Sequence, residues 1–412
     1  MSPPRVAAML GAVLVFTACT SQPAQPRETG GTTATTVATT KGSSGQPAAT
    51  AHPSSSSPAA PATSPPKATG TTGPARRASD TLRLSRVARI TGSLSSKSVV
   101  ASGTGVVFAQ NMMYRHTITV LSVASHSIVK TISDAVDLRA LGATTAPAGV
   151  HQGAPVEASF TADGKYAYVS NYSMYGSGFG PEGSDTCPAH VYDDSYVYRV
   201  NVATRTIDQA IRVGSVPKFL SVTPDGAHVV VSNWCDYSVS IIDTAKAKTV
   251  KEIPVGRFPR GIAVTADSRT AYIAVMGSTQ LAVVDLSSYK VQYISGVGSA
   301  PRHLVLSPDG RWLYITVNGE GLVEKLDTRT RRVVARITTG SQPRSMTIAP
   351  DGKSLYVVNY ASSTVSKVRA SDMKVLQTIA VDNHPIGITY ASDAGEVWVA
   401  CYSGSIIVFK DK

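Results

Sequence analysis

The chain has 412 residues, is 42% hydrophobic and 16% charged, and carries a formal net charge of +12. It holds no phosphate-binding loop, no dinucleotide glycine pattern, no G-x-S-x-G and no CxxCH, so no motif argues for the chemistries those patterns serve. Six basic residues against two acidic ones in the first 80 leave +8 on the remainder; such a balance suits teichoic acid, anionic lipid, nucleic acid or acidic sugar, or solubility alone.

In chain order the first element is an export signal. Residues 1–19, "MSPPRVAAMLGAVLVFTAC", place one basic residue before an apolar run and small residues before Cys19, a stretch too short to stay in a membrane as a span. "FTAC" resembles a bacterial lipobox, with Phe16 where leucine is usual; the resemblance implies lipidation of Cys19 and a lipid anchor on the outer face of the cytoplasmic membrane or cell envelope. If that motif fails, the protein is secreted. Residues 20–80 are almost wholly Ser, Thr, Pro, Ala and Gly. They bury too little surface to offset their ordering entropy and predict a disordered tether. As a flexible coil it would average about 40–45 Å end to end.

From residue 81 onward, short alternating runs of Val, Ile and Tyr are separated by Gly-, Pro- and Asp-rich turns. Asp225, Asp267, Asp309, Asp351 and Asp393 recur every 42 residues; Asp163 and Gly103 precede them at intervals of 62 and 60. Eight residues before these corners stand Pro155, Pro217, Pro259, Pro301, Pro343 and Pro385, with Ser95 in the first copy. A 42-residue unit with four short strands is the size of one propeller blade. Seven copies predict an all-β, seven-bladed β-propeller of four-stranded blades over 81–412. The last copy lacks a fourth strand, and "SRVARITG" (Ser85 to Gly92) has the spacing to supply it and close the ring.

"DGKSLYVVN", "DGKYAYVSN" and "DGAHVVVSN", each followed by V-x-x-D/N and V-G-x-x-P, resemble the YVTN-repeat (YncE-like) propellers. The resemblance covers essentially all of 81–412. It implies the fold more than a function, because the wider group includes lactonases, streptogramin lyases, and d1-haem and quinoprotein propellers.

Alternating chain direction puts the Asp corners on one face of the ring and the G-x-x-P links on the other, the top. The residues after the prolines should therefore ring the mouth of the central channel. They are Val156, Lys218, Arg260, Arg302, Arg344 and Ile386. Four cations on adjacent blades repel one another unless an anion or nearby carboxylates offset them, and Arg suits bidentate recognition of carboxylate or phosphate. The alternative is a duplicated blade that kept its Arg, each paired to a neighbouring loop. Asn171, Asn233 and Asn359 end second strands, either to meet a ligand or to cap their own turns. Tyr172, Trp234, Tyr360 and Tyr402 follow the strand ends and offer stacking surfaces or padding between blades. Two insertions enter blade two, "SDAVDLRALGATTAPAGVHQGA" before it and "YSMYGSGFGPEGSDTCPAHVYDDS" after its second strand. They suggest a lid or a docking edge for a protein partner. Cys187 and Cys235 lie in corresponding loops of neighbouring blades and suit a disulfide; Cys401 has no obvious mate.

These features predict an exported, surface-anchored binding module for an anionic small molecule or cell-wall polymer, with no metal site and no cofactor. Membrane attachment comes only through the N-terminal lipid, and the basic, aromatic face also admits nucleic acid. The competing reading is a lactonase- or lyase-like enzyme using His303, Glu157 and His384. A third makes the propeller a protein-interaction platform.

Overall fold

The computed structural model describes residues 77–412; the signal, Cys19 and the tether up to residue 76 lie outside the described residues. The described chain forms seven antiparallel sheets arranged in a ring, with one three-residue helical turn at Ser79–Thr81. In blade three the order along the sheet is Pro217–Val222, His228–Asn233, Ser238–Asp243 and Lys248–Pro254, the first strand innermost. Blades four, five and six repeat this layout, starting at Pro259, Pro301 and Pro343. Blade one begins at Ser98.

Sequence alternation explains where the apolar surface goes. His228–Asn233 buries Val229, Val230 and Val231, which point alternately to the two faces of the sheet. Both faces are covered because each blade packs between two others. Val230 and Ile241 of blade three join Ile262, Ile273 and Ala282 of blade four in one cluster, and Val229, Val231 and Ile242 face blade two. The core is thus a series of wedges between blades rather than one central mass.

The recurring corner has a local cause. The Asp225 carboxylate accepts hydrogen bonds from the Thr223 hydroxyl at 2.6 Å and the Ala227 amide at 2.9 Å. Asp267 does the same with Thr265 and Arg269, and Asp309 with Ser307 and Arg311. A short carboxylate that bonds its own backbone two residues on is the natural tie for a tight turn.

The ring closes as the strand count predicts. Leu84–Thr91 pairs antiparallel with Ser405–Asp411 and becomes the outer strand of blade seven. Ser79, N-terminal to that strand, donates from its amide and hydroxyl to Asp351 of blade six, at 2.8 and 2.7 Å.

Blade two departs from the repeat. Its inner strands lengthen to Val150–Phe160 and Tyr166–Tyr175, and a two-residue strand, Val136–Asp137, adds a fifth member. The first insertion folds back on its own blade: Leu138 and Ala146 are buried with Tyr198 and Ala210, and the Ala210 amide donates to the Leu141 carbonyl.

Candidate functional site

Each link between blades ends in a sharp reversal. Val216, Phe258, Ala300, Gln342 and His384, directly before the prolines, have φ between 51° and 58°, a left-handed backbone uncommon for residues with a side chain. Immediately after Pro155, Pro217, Pro259, Pro301, Pro343 and Pro385 the strand register shifts by one residue. A bulge of this kind leaves one residue outside the ladder and re-aims its side chain. The residues so placed are Val156, Lys218, Arg260, Arg302, Arg344 and Ile386. At the same level the innermost strands nearly touch: a Cβ on Gly261 would meet the Arg302 carbonyl of blade five at 2.6 Å.

The bulges bring four cations together, and a fifth joins them. Lys97 of blade one lies close enough for Arg260, Arg302 and Lys218 to act on its charge. It stands two residues after Ser95, so the proline that marks the other blades does not point to it. Its ammonium donates to the Tyr402 hydroxyl at 2.6 Å. Arg302 Nε donates to the Arg344 carbonyl at 3.1 Å, and the Arg344 guanidinium lies 3.6 Å over the Tyr360 ring. Lys218 sits over the rings of both Tyr172 and Trp234, at 4.7 and 4.5 Å.

Two carboxylates face these cations. Asp185, from the second insertion, is ion-paired to Lys218. Its Oδ1 lies 3.2 Å from the Tyr172 hydroxyl, and its backbone carbonyl accepts the Trp234 indole N–H at 3.1 Å. Glu157 stands next to the blade-two bulge and lines the channel below. The Cys187–Cys235 disulfide ties the same insertion to blade three.

Crowded charge and burial set the protonation states. Burial lowers Lys97 well below the ordinary lysine range, with the Arg260, Arg302 and Lys218 charges adding to it. Burial brings Lys218 down to about 7, Asp185 resisting and Arg260 and Arg302 assisting. Arg302 and Arg260 are lowered by burial first, then, among like charges, by the guanidinium groups beside them. Burial pushes Glu157 up to about 7, against a hydrogen bond with Ser98 and the Arg260 charge. Desolvation opposes ionisation of Asp185, yet the neighbouring Lys218 holds its carboxyl down to about 2.

Other expected site residues fall elsewhere. Asn171, Asn233 and Asn359 have 0% exposure; none of them reaches a ligand at the mouth. The Asn233 amide donates to Ser238 and Ser240, that of Asn359 to Thr364 and Ser366, and that of Asn171 to the Tyr196 carbonyl. They cap turns inside their blades. His303 and Glu157 do share a channel cavity of about 250 Å³, with His303 edge-on to Phe219 at 5.2 Å. Burial, then the Arg302 and Arg260 charges, bring His303 down to about 3. His384 is exposed and stacked on Tyr360 at 4.6 Å, apart from that cavity. Cys401 is a free thiol, fully buried, and burial pushes it up to about 12. Among the described residues no group of three or more His, Cys, Asp or Glu is placed to hold a metal ion.

Fold and site together define a seven-bladed β-propeller with a strongly basic channel mouth. Residues 271–389 match the family described as the cytochrome D1 heme domain, which is under a third of the chain. Among solved structures, hydrazine synthase of Kuenenia stuttgartiensis is similar over 78% of this chain and 97% of that chain, with a TM-score of 0.61 and 18% identity. Both are seven-bladed propellers, and at that identity the likeness is one of fold alone. No curated protein matches the chain.

Proposed function

We propose that the propeller is a binding module for a small polyanion held at the top mouth of its channel, in an exported protein of the YVTN-repeat type. The observation that carries this is a charge imbalance: Lys97, Lys218, Arg260, Arg302 and Arg344 converge from five blades on two carboxylates among the described residues, Asp185 and Glu157. Like charges gathered in a desolvated place raise the free energy of the empty protein, and an oxyanion with two or more charges relieves that. Arg302 and Arg344 supply planar donors, and Tyr172, Trp234, Tyr360 and Tyr402 keep the cations in place.

A haem, suggested by the name of the matching family, does not suit these residues. His303 is packed against Phe219 deep in a cavity of about 250 Å³, below the range of roughly 300–1,000 Å³ typical of ligand pockets. His384 lies against Tyr360 on the exposed side. The enzymatic reading keeps only Glu157 and His303 in one cavity, and His303→Ala separates it from binding by abolishing turnover while sparing affinity.

Thermal unfolding of the whole chain with citrate and with pyrophosphate tests the binding function. A ligand at about 100 times its dissociation constant stabilises by roughly 2.7 kcal/mol. The shift is expected in wild type and lost in an Arg260→Ala/Arg302→Ala variant; equal shifts in both would sink the assignment. The export signal and the Ser/Thr/Pro-rich segment support a tether lipidated at Cys19. Cys19→Ala should then move the protein from the membrane fraction to the soluble one.

A further inference from the structure

We propose that Asp185 is a built-in competitor for the channel mouth, its carboxylate occupying the seat that an incoming ligand's oxyanion takes. The proposal deepens, and rests on, the polyanion-binding function above. Lys218 is the cation it covers: the lysine side chain is 4% exposed and that of Asp185 72% exposed. The pair is therefore a buried cation capped from outside by a carboxylate on a strap. The contacts are those of a bound ligand, since the carboxylate meets an ammonium and the Tyr172 hydroxyl while Trp234 holds the backbone carbonyl.

The strap is built to present this one residue. It leaves blade two after Tyr175, passes Gly176 and Gly178 with φ of 122° and 88°, and is fastened two residues beyond Asp185 by the Cys187–Cys235 disulfide. Glycines in such conformations turn the chain without steric cost. The covalent anchor beside Asp185 limits its travel, so the carboxylate swings aside without the strap leaving the blade.

Competition of this kind sets specificity by charge. A monoanion that replaces Asp185 exchanges one negative charge for another and gains little. An oxyanion with two or more charges keeps the contact to Lys218 and also meets Arg260, Arg302, Arg344 or Lys97, which feel the Asp185 charge without being ion-paired to it. The ligand class is therefore a small phosphate or polycarboxylate, and its competitor is part of the protein.

Calorimetric titration of the whole chain with citrate, pyrophosphate and acetate decides the matter, using wild type, Asp185→Asn and Arg302→Ala. Asp185→Asn keeps the backbone carbonyl that binds Trp234 and should tighten citrate, pyrophosphate or both at least 10-fold. Which of the two tightens tells polycarboxylate from phosphate recognition. Acetate should bind measurably only to Asp185→Asn. Unchanged or weaker binding by Asp185→Asn, with Arg302→Ala still impaired, would overturn the competitor while leaving the polyanion site standing. No binding by wild type or Asp185→Asn would remove both. Trp234 fluorescence is a second readout on the unaltered protein: its ring lies 4.5 Å from the Lys218 ammonium, so exchange of the carboxylate on that ammonium should shift it, and binding without a shift also overturns the proposal.

Discussion

At the level of single residues, the mouth is governed by two groups poised near neutrality. Lys218 at about 7 and Glu157 at about 7 change charge over the same interval. Below it the lysine is cationic and the glutamic acid neutral; above it both changes subtract positive charge. Citrate affinity should therefore fall as pH rises through 7, measured by titration from pH 5.5 to 8.5. Stability of the empty protein follows from the same shifts. Between the ordinary glutamate value and 7 the native state holds extra protons on Glu157 and on Asp134, which burial also pushes up to about 7, against one extra proton that the unfolded state holds on His303, so stability falls with rising pH. Between 7 and the ordinary lysine value the unfolded state holds the extra proton on Lys218, so stability rises. A shallow minimum near pH 7 is the expected result of denaturant unfolding without ligand, and a monotonic curve across that range would contradict these states. The strand-end asparagines illustrate the opposite case, since Asn233 and Asn359 are fully buried and spend their N–H donors on serine and threonine hydroxyls of their own blades.

At the level of elements, bulge and strap divide the work. The bulge after each proline turns a side chain out of the ladder and into the mouth, which is why the basic residue recurs at that position and not one earlier. In blades two and seven the same bulge holds Val156 and Ile386, both buried and apolar, so the cations occupy an arc rather than a full circle. The second insertion answers that arc with Asp185, whereas the first packs on blade two. Replacing Cys187 and Cys235 by serine opens a loop of sequence separation 48 and should cost about 2–4 kcal/mol. Chemical denaturation under oxidising conditions measures it. The variant should also bind citrate more tightly, because the strap no longer holds Asp185 on Lys218.

At the level of the whole molecule, closure of the ring decides stability. Lys367 of blade six is fully buried; its ammonium donates to Asp411 at 2.5 Å and to the carbonyls of Ser79 and Leu82 at 2.6 and 2.9 Å. The Tyr356 hydroxyl donates to the same carboxylate at 2.5 Å. One lysine thus joins the segment leading into the N-terminal strand, the C-terminal strand and the blade beside them. Removing one partner of a buried pair strands the other charge and costs about 3–5 kcal/mol. Lys367→Met should lose that amount in equilibrium unfolding and leave anion binding intact, because none of the mouth residues is among its partners. A loss below about 1 kcal/mol would mean that strand pairing alone closes the ring.

Period and alternation were enough to define the blades, since a 42-residue repeat of four strands buries its faces only between copies of itself. The Asp corners, the N-terminal closing strand and the basic residues after Pro217, Pro259, Pro301 and Pro343 were legible for the same reason: each is a local or periodic property of the chain. Lys97 was not, because blade one lacks the proline that marks the position. Asp185 was not, because an insertion has no register with the repeat and its course depends on what it packs against. The shared cavity of Glu157 and His303, the absence of His384 from that cavity, and the burial of the asparagines inside their blades also needed the tertiary structure. Which side chains converge on one point is set by blade geometry and bulges, and what they do there is set by the burial and charge that only convergence creates.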